Sequence, residues 1–225
     1  MISVNTGRGR DAGWAGRLRR TAIDKRPATG RVPVGTLGLA GDEQADKENH
    51  GGPDQAVYVY AREDLDWWVE RLGRELRNGE FGENLTTTGL EVTGALIGEI
   101  WRLGTALVQV ATVRIPCVVF QNWLGEEHWV KRFAAGGRPG AMLRVLAAGA
   151  VAAGDPVEVV SRPAGQLTVA EAMRAYYGDA ALMRRLLQAE GRAAHWDEDA
   201  LPVLRRHEPA GEPVVEPAGE AGRAD

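Results

Sequence analysis

From Thr21 to about Ala164 the chain alternates short apolar runs with Gly- and Pro-bearing breaks. Val57 to Tyr60, Glu99 to Leu103, Leu107 to Val113, Met142 to Leu146 and Val157 to Val160 are rich in Val, Ile, Leu and aromatics. Turn residues such as Gly104-Thr105 and Gly154-Asp155-Pro156 bound them, so each run predicts a strand. Many short strands joined by Gly-rich turns favour a barrel or sandwich over repeated βαβ units. Two helices are expected to interrupt this region. Leu65, Trp68, Val69, Leu72 and Leu76 fall on one apolar stripe of a helix of roughly four turns. Val118, Val119, Trp123, Leu124, Trp129, Val130 and Phe133 predict a second, less regular helical segment whose aromatics serve as core.

The pattern changes after Leu167. No strand periodicity continues, and Thr168 followed by Glu171 has the spacing of a capping box, in which side chains satisfy the exposed N–H groups of a helix start. Gly178 closes that helix. Asp179 caps the next, which carries the stripe Leu182, Met183, Leu186 and Leu187. A third helix is expected around Trp196 to Arg206, short or bent because an interior proline, here Pro202, costs about 3 kcal/mol. So little helix makes a poor core alone, and docking onto the β region is expected. The division is a β domain over 1–164, a three-helix segment over 165–206 and an acidic tail over 207–225. From Glu208 the tail repeats Glu-Pro at period four and lacks large apolar groups, which predicts disorder.

A hydrophobic content of 44% and a charged content of 26% are those of an ordinary globular protein. With one cysteine, no disulfide forms within the chain, and no signal peptide or membrane span is read at the N-terminus; the expected location is the cytoplasm. Residues 1–32 carry a balance of +6 against −4 for the whole chain, so the remainder holds −10. The basic stretch suits a phosphorylated ligand or a solvated surface. The acidic remainder argues against general nucleic-acid binding.

Candidate chemistry concentrates in three places. Cys117 follows a predicted strand in Arg114-Ile115-Pro116-Cys117, and a thiolate is both a nucleophile and a soft metal ligand. Its competing reading is a small buried apolar residue. His50-Gly51-Gly52 places a titratable ring beside two residues whose N–H groups can form an anion-binding concavity, or simply a turn. Phe81-Gly82-Glu83-Asn84-Leu85 sets two polar side chains between apolar anchors, aimed at a target or satisfying a turn. Asp42 is expected to cap its own turn. One cysteine and four histidines (His50, His128, His195, His207) lack paired zinc-ligand spacings. A Cys–His hydrolase, with Cys117 as nucleophile and His50 or His128 as base, stays open.

Taken together, the order of these segments resembles the MOSC domain family and, within it, the YiiM-like group. The resemblance runs through Ile23-Asp24-Lys25-Arg26-Pro27, Gly38 to Asp46, His50 to Tyr58, Gly79 to Leu85, Ile97-Gly98-Glu99, Arg114-Ile115-Pro116-Cys117, Arg144-Val145-Leu146 and Gly154-Asp155. It departs where Val113 replaces a usual proline. The resemblance implies a MOSC-type β-barrel followed by three helices, binding a molybdopterin-type molybdenum cofactor with Cys117 on the metal. It makes Lys25, Arg26, Arg114 and Arg138 candidates for the cofactor phosphate, with Arg suited to bidentate oxygen recognition. His50, Gly51, Gly52, Glu83 and Asn84 would line the metal's open face or hold the pterin, with His50 as proton donor. The implied activity is reduction of N-hydroxylated compounds, such as N-hydroxylated purine bases. An alternative is a carrier of cofactor or sulfur. No iron–sulfur cysteine set or dinucleotide glycine fingerprint is present, so a separate electron-donating reductase is expected as partner. The oligomeric state is left open, with a homodimer among the options.

Overall fold

The computed structural model describes residues 1–45 and 51–207. His50 and the tail from 208 onward, with the roles expected of them, lie outside the described residues. All five predicted strands form, each within about a residue of its expected ends. Together with three further segments they build one mixed sheet. Its strands are β1 Ser3–Thr6, β2 Arg26–Pro27, β3 Val57–Ala61, β4 Leu85–Thr87, β5 Ile100–Leu103, β6 Ala106–Val113, β7 Ala141–Ala147 and β8 Val157–Ser161. The order across the sheet is β8-β5-β6-β7-β3-β4-β1-β2. Neighbours pair antiparallel except β3 and β4, which run parallel with Val59 opposite Leu85.

The expected barrel does not close among the described residues, because β8 and β2 end the sheet without pairing to each other. Pro27 has no N–H to donate, which suits β2 to an edge. At the other end β8 carries a register shift between Val159 and Ser161 and leaves most of its side chains in solvent. After β7 the chain leaves the large sheet, and Gly149–Val151 pairs with Val32–Gly35 in a separate three-stranded sheet completed by Gly38–Leu39.

Six α-helices form among the described residues, where five were expected. Helix α1, Arg62–Leu72, stops short of the predicted four turns. Gly73 takes the left-handed conformation (φ 64°), and its N–H closes onto the Val69 carbonyl. Leu76 is still buried, but from the following loop. The irregular helical segment after Cys117 is two helices, α2 Val118–Leu124 and α3 Trp129–Gly136, separated because Gly125 ends α2 in the same left-handed way. Tyr60, Trp68, Phe81, Phe120, Trp129 and Phe133 pack between these helices and the sheet, most pairs edge to face and Phe133 stacked on Trp68 and Tyr60, with centroids 4.6–6.5 Å apart. Such pairs add about 0.5–1.5 kcal/mol beyond area burial. This cluster fixes where α2, and so Cys117 at its start, sits against the sheet.

The C-terminal helices are α4 Val169–Tyr176, α5 Ala180–Leu186 and α6 Trp196–Arg205. Both halves of the Thr168–Glu171 capping box are present, and the Asp179 carboxylate accepts from the Leu182 N–H. Helix α6 runs ten residues with Pro202 inside it. The segment docks as expected, and main-chain bonds tie it down. Val169 N–H donates to the Ala95 carbonyl, Ile97 N–H to Leu167, and Ala193 N–H to Ala111 on β6.

Candidate functional site

Where β6 ends, Arg114-Ile115-Pro116-Cys117 carries the chain out of the sheet and into α2. Cys117 is extended (φ −132°, ψ 172°) and half-buried, and its sulfur-bearing side chain borders a cavity of about 300 Å³. The thiol is therefore not sealed in the hydrocarbon core. Arg114 borders the same space. Its Cζ lies 5.3 Å from the Phe120 ring centre and 5.9 Å from that of Tyr58, over their faces. The guanidinium makes no hydrogen bond or ion pair among the described residues, and its Nε is buried without a partner. A cation stacked on aromatics and otherwise uncommitted leaves its donors for a ligand.

The cavity floor is a polar network from five separate segments of the chain. Lys25 Nζ reaches both Asp42 oxygens at 2.5 Å, and both side chains are more than nine-tenths buried. Asp42 also accepts from the Gly7 N–H at 2.8 Å and from Asn84 Nδ2 at 2.8 Å. Asn84 bridges strands as well. It donates to the Asn5 carbonyl and accepts from the Tyr58 N–H at 3.0 Å. Burial pushes the Lys25 ammonium below its ordinary value, and the Asp42 carboxylate opposes that shift.

A family comparison can now be set against this geometry. The MOSC domain profile matches residues 46–158. The chain is 38% identical to the Bacillus subtilis protein YflK over 199 residues, covering 87% of this chain and 90% of that one. The chain belongs to the MOSC domain family. Its fold is YiiM-like: the crystal structure of YiiM from Geobacillus stearothermophilus superposes with a TM-score of 0.75 at 31% identity, covering 90% of this chain and 97% of that one. A Gibberella moniliformis protein named as a reductase is 32% identical over 178 residues, 77% of this chain but 31% of its own length.

MOSC domains are associated with binding of the molybdenum cofactor, which brings a metal and an anionic phosphate. The cavity offers a donor suited to each, a partly exposed thiol and an uncommitted guanidinium, and its volume lies at the lower end of small-molecule sites. The residues present fit the group.

Of the residues singled out by sequence, Cys117, Arg114, Lys25, Asn84 and Gly51 come together around this MOSC cavity. Gly51 and Gly52 adopt positive φ (130° and 81°), but their N–H groups meet the Gln55 and Gln44 side-chain oxygens at 3.4 and 3.2 Å, so those side chains occupy the proposed concavity. The remaining candidates point elsewhere. Arg26 is exposed on the edge strand, paired with Asp24 at 2.7 Å. Arg138 pairs with the buried Asp64 and lies 4.9 Å over the Trp67 ring. Glu83 sits fully buried behind the cavity, accepting from Gly79 N–H at 2.5 Å, Phe81 N–H at 3.0 Å and the Thr86 hydroxyl at 2.9 Å. It holds a loop. Burial pushes its carboxyl up to about 7, against the pull of those donors.

Sequence reasoning missed Asp42's position. It caps a distant N–H and neutralises Lys25 instead of closing its own turn, and no local signal announces a partner in another segment. Arg17 and Arg20 also border the cavity, Arg20 with ion pairs to Glu43 at 3.4 Å and Asp11 at 3.6 Å. The basic excess of residues 1–32 was the available signal for them. No described helix is long and apolar enough to cross a membrane.

Proposed function

We propose that this MOSC protein is a molybdenum-cofactor-dependent reductase of N-hydroxylated compounds, working in the cytoplasm with a separate reductase as electron source. One observation carries the reading. The chain's single cysteine and an arginine that makes no hydrogen bond or ion pair among the described residues border the same cavity. The cofactor, when bound, supplies the two-electron chemistry that removes oxygen from nitrogen.

The chain's own residues do the rest. The Cys117 thiolate holds the metal, and neighbouring cations favour that ionised form. Arg114 grips phosphate oxygens, assisted by Arg20 at the cavity's edge. Lys25 is committed to Asp42, so its charge shapes the floor and does not reach out as a phosphate clamp. Asn84 fixes Asp42, and Tyr58 supports Arg114 from below while its hydroxyl is spent on the Pro139 carbonyl at 2.9 Å. The relative named as a reductase supports the redox reading, and this chain corresponds to less than a third of it.

Protein from molybdenum-replete cells, given a chemical electron donor, should convert an N-hydroxylated base to its amine. Cys117→Ala should remove both turnover and bound molybdenum while changing stability by less than about 1 kcal/mol, as expected for a half-exposed small side chain. Full turnover in that variant would refute the assignment. Absent turnover together with cofactor transfer to an apo-enzyme would favour the carrier.

A further inference from the structure

One wall of the Cys117 cavity is a hairpin that stands outside the main sheet. Arg10–Asp11 pairs with Arg20–Thr21, Asp11 opposite Arg20, and a 3-10 helical turn at Gly16–Leu18 lies between them. Ala15, Gly16, Arg17, Arg20 and Thr21 border the cavity from this side. The tip lies over the start of α2, since a side-chain carbon at Gly16 would stand 3.9 Å from Val119, two residues beyond Cys117. Residues 8–20 carry five arginines and one aspartate, so the basic excess of the first segment is concentrated here.

The hairpin's stem is fixed, but its tip is not built into the core. At the stem the Gly7 N–H donates to Asp42 at 2.8 Å. The two strands leaving it run so close that a side-chain carbon at Gly7 would lie 2.8 Å from the Ala22 carbonyl oxygen and 2.9 Å from that of Asp24. Ala22 and Ile23 are buried. Beyond them, Ala15 is the one buried residue among the described side chains of 8–20. Asn122 Nδ2 fastens the tip to α2 by donating to the Trp14 carbonyl at 2.8 Å, and the Trp14 ring lies 6.1 Å from that of Trp123. Nearer the stem, the Glu43 carboxylate accepts from the Gly9 N–H at 2.7 Å and from Arg20 at 3.4 Å. Exposed polar contacts are individually weak, and a segment with few buried apolar groups opens without unfolding the domain.

We propose that this hairpin is a lid, which pivots about Gly7 and Ala22 to admit a phosphate-bearing anion and closes on it through Arg17 and Arg20. Arg114 stays at the end of β6 whether the lid is open or shut, whereas Arg17 and Arg20 border the cavity only when it is shut. An anion in the cavity therefore binds the closed state more tightly and shifts the equilibrium by that difference in affinity. With no anion present, Arg17, Arg20 and Arg114 border one space with like charge, which favours opening. The latch at Trp14 and the staple at Glu43 oppose it. Closure also shields the cavity beside Cys117 from water. That the anion is the cofactor rests on the reductase reading proposed above; closure on phosphate does not.

Hydrogen exchange of the full chain, read by mass spectrometry over residues 9–21 with inorganic phosphate as the probe, tests the lid. Without phosphate this segment should exchange at least about tenfold faster than β3 and β6, at a rate that low urea does not change, the mark of local opening. Saturating phosphate should slow it about tenfold and leave β3 and β6 as they are, as a ligand held by the closed state requires. Asn122→Ala should speed exchange about fivefold without phosphate, the range of one hydrogen bond. Arg17→Gln combined with Arg20→Gln should abolish the phosphate response. Arg19→Gln, on the same hairpin but outside the cavity lining, should keep it. Equal protection of the hairpin and β6, exchange unmoved by Asn122→Ala, no phosphate response, a response that survives loss of both arginines, or its loss in Arg19→Gln would each overturn the lid. Phosphate-dependent closure in a chain that retains no molybdenum when made in molybdenum-replete cells would instead overturn the reductase reading alone.

Discussion

Asp42 and Glu83 are both buried carboxylates close to Asn84 in the fold, and their surroundings differ in kind. Asp42 faces a cation, Lys25, at the cavity floor. Glu83 is enclosed by neutral donors from Gly79, Phe81 and Thr86. In the first region two charges compensate each other, and the cost appears only when one is removed. In the second, burial acts on a lone charge, and the carboxyl is pushed up to about 7. The lesson concerns function as well as stability. Because Lys25 is neutralised in the floor, the cavity's anion-binding capacity falls to its arginines, above all Arg114.

The comparison is broken most directly at the paired site. Asp42→Ala leaves Lys25 buried without its counter-charge and should destabilise the fold by about 3–5 kcal/mol, measured by urea unfolding. Adding Lys25→Met should recover part of that loss. A penalty under about 1 kcal/mol for Asp42→Ala would mean that solvent in the cavity already stabilises the ammonium.

The Glu83 region should respond to pH instead. Its folded value lies above the ordinary 4.5, so between about 4.5 and 7 the native chain keeps a proton that the unfolded chain has released. This contribution is fully present below pH 4.5 and is lost as pH rises through about 7, on the order of 3 kcal/mol in all. Unfolding free energies at pH 5 and pH 8 should therefore differ in favour of pH 5. Glu83→Gln should flatten that slope while lowering stability at both, since its amide turns a donor toward backbone donors. An unchanged slope in the variant would assign the pH dependence elsewhere.

The smallest effect serves as the control. Thr168→Ala removes one half of the α4 capping box, far from both carboxylates, and should cost about 1 kcal/mol at pH 5 and pH 8 alike.

Much of the fold was legible because its signals are local. Val57–Ala61 and Ala106–Val113 are strands that their own composition announces, and Thr168 with Glu171 satisfies N–H groups within one turn. The stripe through Leu72 was read correctly up to the point where Gly73 ended the helix. The site was legible in part. The Arg-Ile-Pro-Cys segment located Cys117 and Arg114, but Arg26 and Arg138 looked equally suitable and turned out to be paired with Asp24 and Asp64. A charged residue's sequence surroundings do not reveal which opposite charge the fold brings to it.

By itself, then, the sequence determined the strands, the capped helices, the family and the cysteine on which the proposed chemistry depends, all through periodicity, turn residues and ordered motifs along one dimension. Tertiary structure alone decided that the sheet stays open at Pro27, that Lys25 is neutralised by Asp42, and that the hairpin of residues 8–20 walls the cavity beside Cys117. Those outcomes depend on distances between segments far apart in the chain, and on which charges lose water together.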